Sequence, residues 1–179
     1  MGIKTVKFGG SSLADAAQFR RVGEIVRADS ARRYVIASAP GKRTPDDIKV
    51  TDMLYRCYEM ARAREDITDY FAKIAERYNA IIRDLGLNYD IAGELAYICD
   101  GINHHTGRDF AASRGEYLSS LILAKYLKYD FIDAESVIFF QENGSFDAEK
   151  TREELRKELK KHERAVIRSE EHTSELQSH

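Results

Sequence analysis

The hydrophobic positions change period several times along the chain, and each change marks an element. Residues 3–8 (I-K-T-V-K-F) and 33–39 (R-Y-V-I-A-S-A) are short β-rich runs bounded by turn-formers, and they read as strands. Between them, residues 14–28 place Phe19, Val22, Ile25 and Val26 at i, i+3, i+6 and i+7, the spacing of an amphipathic helix. Strand, helix and strand of these lengths predict a parallel βαβ unit whose two strands end at one crevice. Residues 39–49 (A-P-G-K-R-T-P-D-D-I-K) hold both prolines of the chain and are predicted to be a loop. From residue 50 to about 128 the pattern is helical. Met53, Leu54, Cys57 and Tyr58 share one face, Phe71, Ile74, Tyr78, Ile81 and Ile82 another, and Ile91, Leu95 and Ile98 a third. Strand character returns at 131–133 and 137–141, and E-N-G-S at 142–145 turns the chain. Residues 148–163 form a charged helix with Leu155 and Leu159 inward and Glu153 and Lys157 placed to pair at i,i+4. The expected class is α/β, with a helical insertion between parallel strands.

Residues 168–179 (R-S-E-E-H-T-S-E-L-Q-S-H) break this pattern, with one leucine and no period. One back-translation of the string resembles a short-read sequencing adapter, so the segment is expected to be a non-native appendage. It is excluded from fold reasoning, His172 and His179 included. The preceding A-V-I (165–167) looks like the start of a buried strand, so residues 1–167 are expected to be the N-terminal part of a larger domain.

Composition narrows the function. Hydrophobic residues make up 43% of the 179, which favours a packed domain over disorder. Lys and Arg number 28 against 30 Asp and Glu, a net charge of -2, which makes no electrostatic case for nucleic acid or an anionic membrane. A small soluble substrate is the better default, and with neither a secretory h-region nor a spanning apolar stretch a cytoplasmic location is expected. Cys57 and Cys99 lack C-x-x-C spacing and read as reduced thiols. Asn143-Gly144-Ser145 reads as a turn. His104 and His105 are adjacent, point about 100° apart on a helix and cannot form an i,i+4 metal pair. Tyr55, Tyr58, Tyr70 and Tyr78 read as half-buried packing positions with wet hydroxyls.

The strongest candidate chemistry follows the first strand, in K-F-G-G-S-S. Gly9 and Gly10 permit backbone torsions closed to other residues and let an oxyanion approach main-chain N–H groups. Ser11 and Ser12 add hydroxyls, Ser12 as a candidate cap for the helix that begins near Ala14. A helix N-terminus presents partial positive charge to the same place. Lys7 and Phe8 point to opposite faces of the strand, so Lys7 can reach the crevice while Phe8 packs. Neither G-x-x-x-x-G-K-[ST] nor G-x-G-x-x-G is present. On these residues alone, an anion site and an ordinary tight strand-to-helix turn remain equally open.

Four motifs in order decide between them: K-F-G-G-S-S (7–12), S-A-P-G (38–41), K-V-T-D-M-L-Y (49–55) and S-R-G-E-Y-L (113–118). Together they resemble the N-terminal part of aspartate kinases in the amino acid kinase family, over residues 4–167. The resemblance implies a three-layer αβα fold with a mostly parallel sheet, truncated on its C-terminal side. It also implies transfer of the ATP γ-phosphate, with Mg2+, to the β-carboxylate of L-aspartate, the first step toward lysine, threonine and methionine. By the same resemblance Lys7 stabilises the transferring phosphoryl group, and Gly9, Gly10 and Ser11 approach the phosphates. Ser38 and Thr51 contact the amino acid. Glu116, placed in the first turn of a helix, holds its α-ammonium. Arg114 could guide a carboxylate, or pair instead with Asp109 or Glu116. Lys42, Arg43 and Thr44, in a loop longer than in some aspartate kinases, are left without a role. Relatives continue with a Gly-rich R-G-G-S-D segment and the nucleotide-binding half. This polypeptide is therefore expected to lack most of the adenine site and to be inactive alone, its parent being a homo-oligomer. The alternatives are a family member acting on another acid, as glutamate 5-kinases do, or a non-catalytic ligand-binding module of the same fold.

Overall fold

In the computed structural model, which describes residues 2–169, the elements run in the order β1 (Lys4–Phe8), α1 (Ala16–Arg27), β2 (Arg32–Ala37), α2 (Val50–Arg62), α3 (Thr68–Asp84), α4 (Ala92–Asn103), α5 (Arg108–Leu127), β3 (Asp130–Ile132), α6 (Ala148–Leu159) and β4 (Ala165–Arg168). The four strands form one parallel sheet in the order β1-β2-β4-β3. Strand register sorts the side chains into two faces. Val6, Phe8, Val35, Ala37, Phe131 and Val166 turn toward one cluster, which they share with α1 to α5. Tyr34, Ile132, Ala165 and Ile167 turn the other way, where Leu155 and Leu159 of α6 meet them. Helices on both faces of a parallel sheet make the three expected layers.

Local chemistry fixes the boundaries. Ser12 does not cap the first helix. A 3-10 turn spans Gly10–Leu13, and Asp15 caps α1 by accepting from the Gln18 N–H at 2.9 Å, an interaction typically worth ~1 kcal/mol. On α1, Phe19, Val22 and Val26 are buried, whereas Ile25 is 46% exposed and lies off the packed face. Lys128, in the left-handed region at φ 59°, ends α5 and turns the chain into β3.

The strand expected at 137–141 does not form. Asp133 Oδ1 accepts from the Glu135 N–H at 3.1 Å and starts a 3-10 turn over Ala134–Ser136. The β-rich composition that follows serves packing instead. Val137 is buried in the smaller cluster, and Phe140 bridges to Phe146 around the Asn143-Gly144 turn, their rings 6.2 Å apart. Strand β4 extends one residue beyond residue 167. Arg168 pairs with Ala37 as the last residue of β4, and the Ser169 N–H donates to Ala37 O at 3.2 Å. The rest of that segment, 170–179, lies outside the described residues. No helix among the described residues is long and apolar enough to cross a membrane.

Candidate active site at the carboxyl ends of β1 and β2

Two loops leave the sheet side by side. The ladder between β1 and β2 continues one residue past the end of β2, with the Ser38 N–H donating to Phe8 O at 3.1 Å. Beyond it the loops touch backbone to backbone, the Gly41 N–H donating to Gly10 O at 2.8 Å. The closeness needs both glycines. A Cβ on Gly10 would lie 2.9 Å from Ala39 O, and one on Gly41 would lie 2.7 Å from the Gly10 carbonyl carbon. Gly9 differs, because the space beside its Cα is open. The result is a glycine loop backed by a second loop on one side and clear on the other, the shape an approaching oxyanion requires.

A cavity of about 510 Å³ opens where these loops meet α2 and α5. Gly10, Ser11, Ser38, Thr51 and Glu116 all line it. Ser38 and Glu116 are 4% and 2% exposed, so their polar groups are set in the cavity's floor rather than on its rim. Glu116 is in the middle of α5, not in a first turn as expected. It reaches the cavity because α5 crosses directly beneath the second loop, and Gly115 makes the crossing possible. A Cβ there would meet the Ala39 Cβ at 2.8 Å. Tyr78 of α3 holds the same turn, its hydroxyl donating to Gly115 O at 2.8 Å. The Tyr78 hydroxyl is thus buried rather than wet. Burial, with the Glu116 carboxylate as a lesser cause, pushes its pKa well above the usual phenol range.

The expected residues do not all converge. Lys7 is exposed at the end of β1, on the opposite face from Val6 and Phe8, as the alternation of the strand requires. Arg114 lies elsewhere. Its guanidinium stands over the rings of Phe110 and Tyr117, bonds Ser113 Oγ at 3.0 Å, and lines a separate cavity of about 400 Å³ with Glu135. Its ion pair is with Glu135 at 3.7 Å, not with Asp109 or Glu116. Residues on α5 two positions apart face different directions, which is why one motif sends Arg114 and Glu116 to different cavities.

Several residues without an expected role belong to this region. Lys42, Lys49 and Asp52 line the cavity, and Gly41 and Gly115 set its walls. Arg77 of α3 lies behind the second loop, 5% exposed. It donates to Ile48 O and Gly41 O, each at 2.7 Å, and to Ala14 O at 3.3 Å. Asp47, 3.6 Å from it, is held by Arg43 at 2.7 Å. That hydrogen bond, with Arg77 contributing, keeps the Asp47 carboxyl well below the usual range. The sequence does carry a signal for Arg77, since it falls on the apolar stripe of Ile74, Tyr78 and Ile81, where a charged residue needs a buried partner.

Known proteins bear on this geometry. The family model for the amino acid kinase family matches residues 3–171. Aspartokinase 3 of Bacillus subtilis is 37% identical over 141 residues, 75% of this chain and 31% of that protein. The bifunctional aspartokinase/homoserine dehydrogenase 2 of Arabidopsis thaliana chloroplasts is 28% identical over 135 residues, 66% of this chain and 14% of its own length. Among solved structures, aspartate kinase of Clostridium acetobutylicum superposes with a TM-score of 0.92 at 44% identity, covering 94% of this chain and 39% of that one. Escherichia coli aspartokinase III, in complex with aspartate and ADP, superposes at 0.70 with 24% identity over 92% of this chain and 40% of its own, a likeness of fold alone. The chain thus spans less than half the length of each of these relatives. With a family model matched from the first strand through the last, the chain belongs to the amino acid kinase family.

Proposed function

We propose that the chain is the amino-acid-binding part of an aspartate kinase, which with the rest of its protein transfers the γ-phosphate of ATP to the β-carboxylate of L-aspartate. The observation that carries this reading is the meeting of a bare glycine loop and a buried carboxylate at one cavity. An aspartate would place its α-ammonium toward Glu116 and its polar groups against Ser38 and Thr51, which leaves the β-carboxylate facing Gly9, Gly10 and Ser11. A carboxylate oxygen then forms a bond to the γ-phosphorus as the bond from phosphorus to the bridging oxygen breaks, and ADP departs with that electron pair. The protein's part is positioning and charge neutralisation. The loop N–H groups supply fixed donors to the phosphoryl oxygens, and the Lys7 ammonium supplies a compact charge that can follow the group in transfer. Mg2+ would arrive with ATP. Arg114 takes no part, because its guanidinium is engaged in the neighbouring cavity.

The test is ATP-dependent formation of aspartyl phosphate by the full-length protein, trapped as the hydroxamate, in the wild type and in Lys7→Ala. Loss of one such charge from a phosphoryl-transfer site is expected to lower kcat by roughly 100-fold or more. Equal turnover in the variant would remove Lys7 from the mechanism, and turnover of glutamate without aspartate would replace the substrate.

A further inference from the structure

Arg77 joins three segments that are distant in sequence. Ala14 follows the glycine loop, while Gly41 and Ile48 lie toward the two ends of the 39–49 loop, and one planar guanidinium donates to all three carbonyls. Two of those segments flank the residues proposed to hold the amino acid: Gly41 lies three residues after Ser38, and Ile48 three before Thr51. The third begins the first helix. Gly41 is also the residue whose N–H donates to Gly10 O, so a pull on its carbonyl is transmitted to the glycine loop through a single residue. Asp47 completes the brace by approaching Arg77 while Arg43 grips it in three hydrogen bonds, one from its backbone N–H at 3.0 Å and two from its guanidinium at 2.7 and 3.0 Å.

We propose that Arg77, held by Asp47, is a positioning residue that clamps the 39–49 loop onto the glycine loop and so presets the amino-acid half of the cavity. This rests on the functional reading above for what the cavity holds. Arg77 does not itself line the cavity. A lysine at 77 keeps the charge but cannot aim parallel donors at Ile48 O and Gly41 O, because an ammonium is a point charge and a guanidinium is a fork. Loss of the clamp therefore frees the loop before it unfolds α3.

Two readouts in the full-length protein test the clamp. Lys42 and Arg43 are exposed in the clamped loop and are sites for trypsin, so cleavage there reports local opening without any need for catalysis. In Arg77→Lys, cleavage after Lys42 and Arg43, located by mass spectrometry, is expected to accelerate about tenfold or more while far-ultraviolet circular dichroism stays native. The KM for aspartate is expected to rise about tenfold, with kcat and the KM for ATP within about threefold of wild type, because misplaced positioning groups cost binding order before chemistry. Asp47→Asn should move both readouts in the same direction by less. It also decides the matter if Arg77→Lys fails to fold. Unchanged cleavage in a folded variant overturns the clamp, and faster cleavage with unchanged aspartate kinetics overturns its role in presetting the site. If wild-type protein phosphorylates no acid at all, the functional reading falls, and the cleavage comparison still decides the clamp by itself.

Discussion

Gly115 and Gly93 show how two glycines in helices can have opposite value. Gly93 lies exposed near the start of α4, and a Cβ added there would meet nothing within 4 Å. Gly93→Ala is expected to stabilise by a few tenths to about 1 kcal/mol, through the lower backbone entropy of the unfolded chain. Gly115→Ala gains the same entropy but drives a methyl to 2.8 Å from the Ala39 Cβ, where neither backbone can yield without moving the loop. Overpacking of this kind typically costs ~1–3 kcal/mol, so the net effect is expected to be destabilising. Urea midpoints of the two variants check the difference in sign. The same pair shows what the sequence conceals. Glu116 was legible because S-R-G-E carries a carboxylate at a recognisable place. The purpose of the glycine beside it appears only when Ala39, 76 positions earlier, is seen against it. Arg77 was legible in principle, as a charge on an apolar stripe, but its three carbonyl partners come from loops whose path no local pattern defines.

At the scale of elements, hydrophobic period located both strands of the first βαβ unit, the helical insertion and the outer helix, and the expected Glu153–Lys157 pair forms at 2.8 Å. It failed at 137–141, where apolar side chains serve a turn and a bridge and their alternation imitates a strand. The joint between α6 and the sheet carries a titratable latch that spacing alone could not reveal. His162 lies 2.8 Å from Asp130 of β3 and 3.1 Å from Glu158 of α6. The hydrogen bond it donates to Asp130, then that to Glu158, raises its pKa above the usual imidazole value. A raised folded-state pKa means that the added stability is fully present below the unfolded value of about 6.5, and is lost as pH rises through the folded value. Denaturant midpoints measured between about pH 5.5 and 8.5 should fall with rising pH more steeply in the wild type than in His162→Gln. Parallel slopes would show that the latch contributes nothing.

Across the whole molecule, the sheet places every feature of the site. Parallel strands must end on the same side, so the glycine loop after β1 and the loop after β2 are neighbours by topology. The larger of the two hydrophobic clusters fixes α5 against that edge, with Leu118, Ile122 and Leu123 at most 1% exposed, and α5 delivers Glu116 from far along the chain. The smaller cluster under α6 closes the opposite face and contributes nothing to the cavity. This division made the α/β class readable from the order of elements. The convergence of four motifs on one edge required the fold, and it brought Ser38, Thr51 and Glu116 together while sending Arg114 away. The most direct measurement is the kinetics of aspartate phosphorylation by full-length protein with Glu116→Gln. On the proposed reading, removing the charge while keeping the shape would take away one charge-assisted hydrogen bond to the α-ammonium, ~1.5–3 kcal/mol, or about 10- to 100-fold in kcat/KM for aspartate. The account expects that loss with the KM for ATP nearly unchanged. Aspartate kinetics identical to wild type would contradict it.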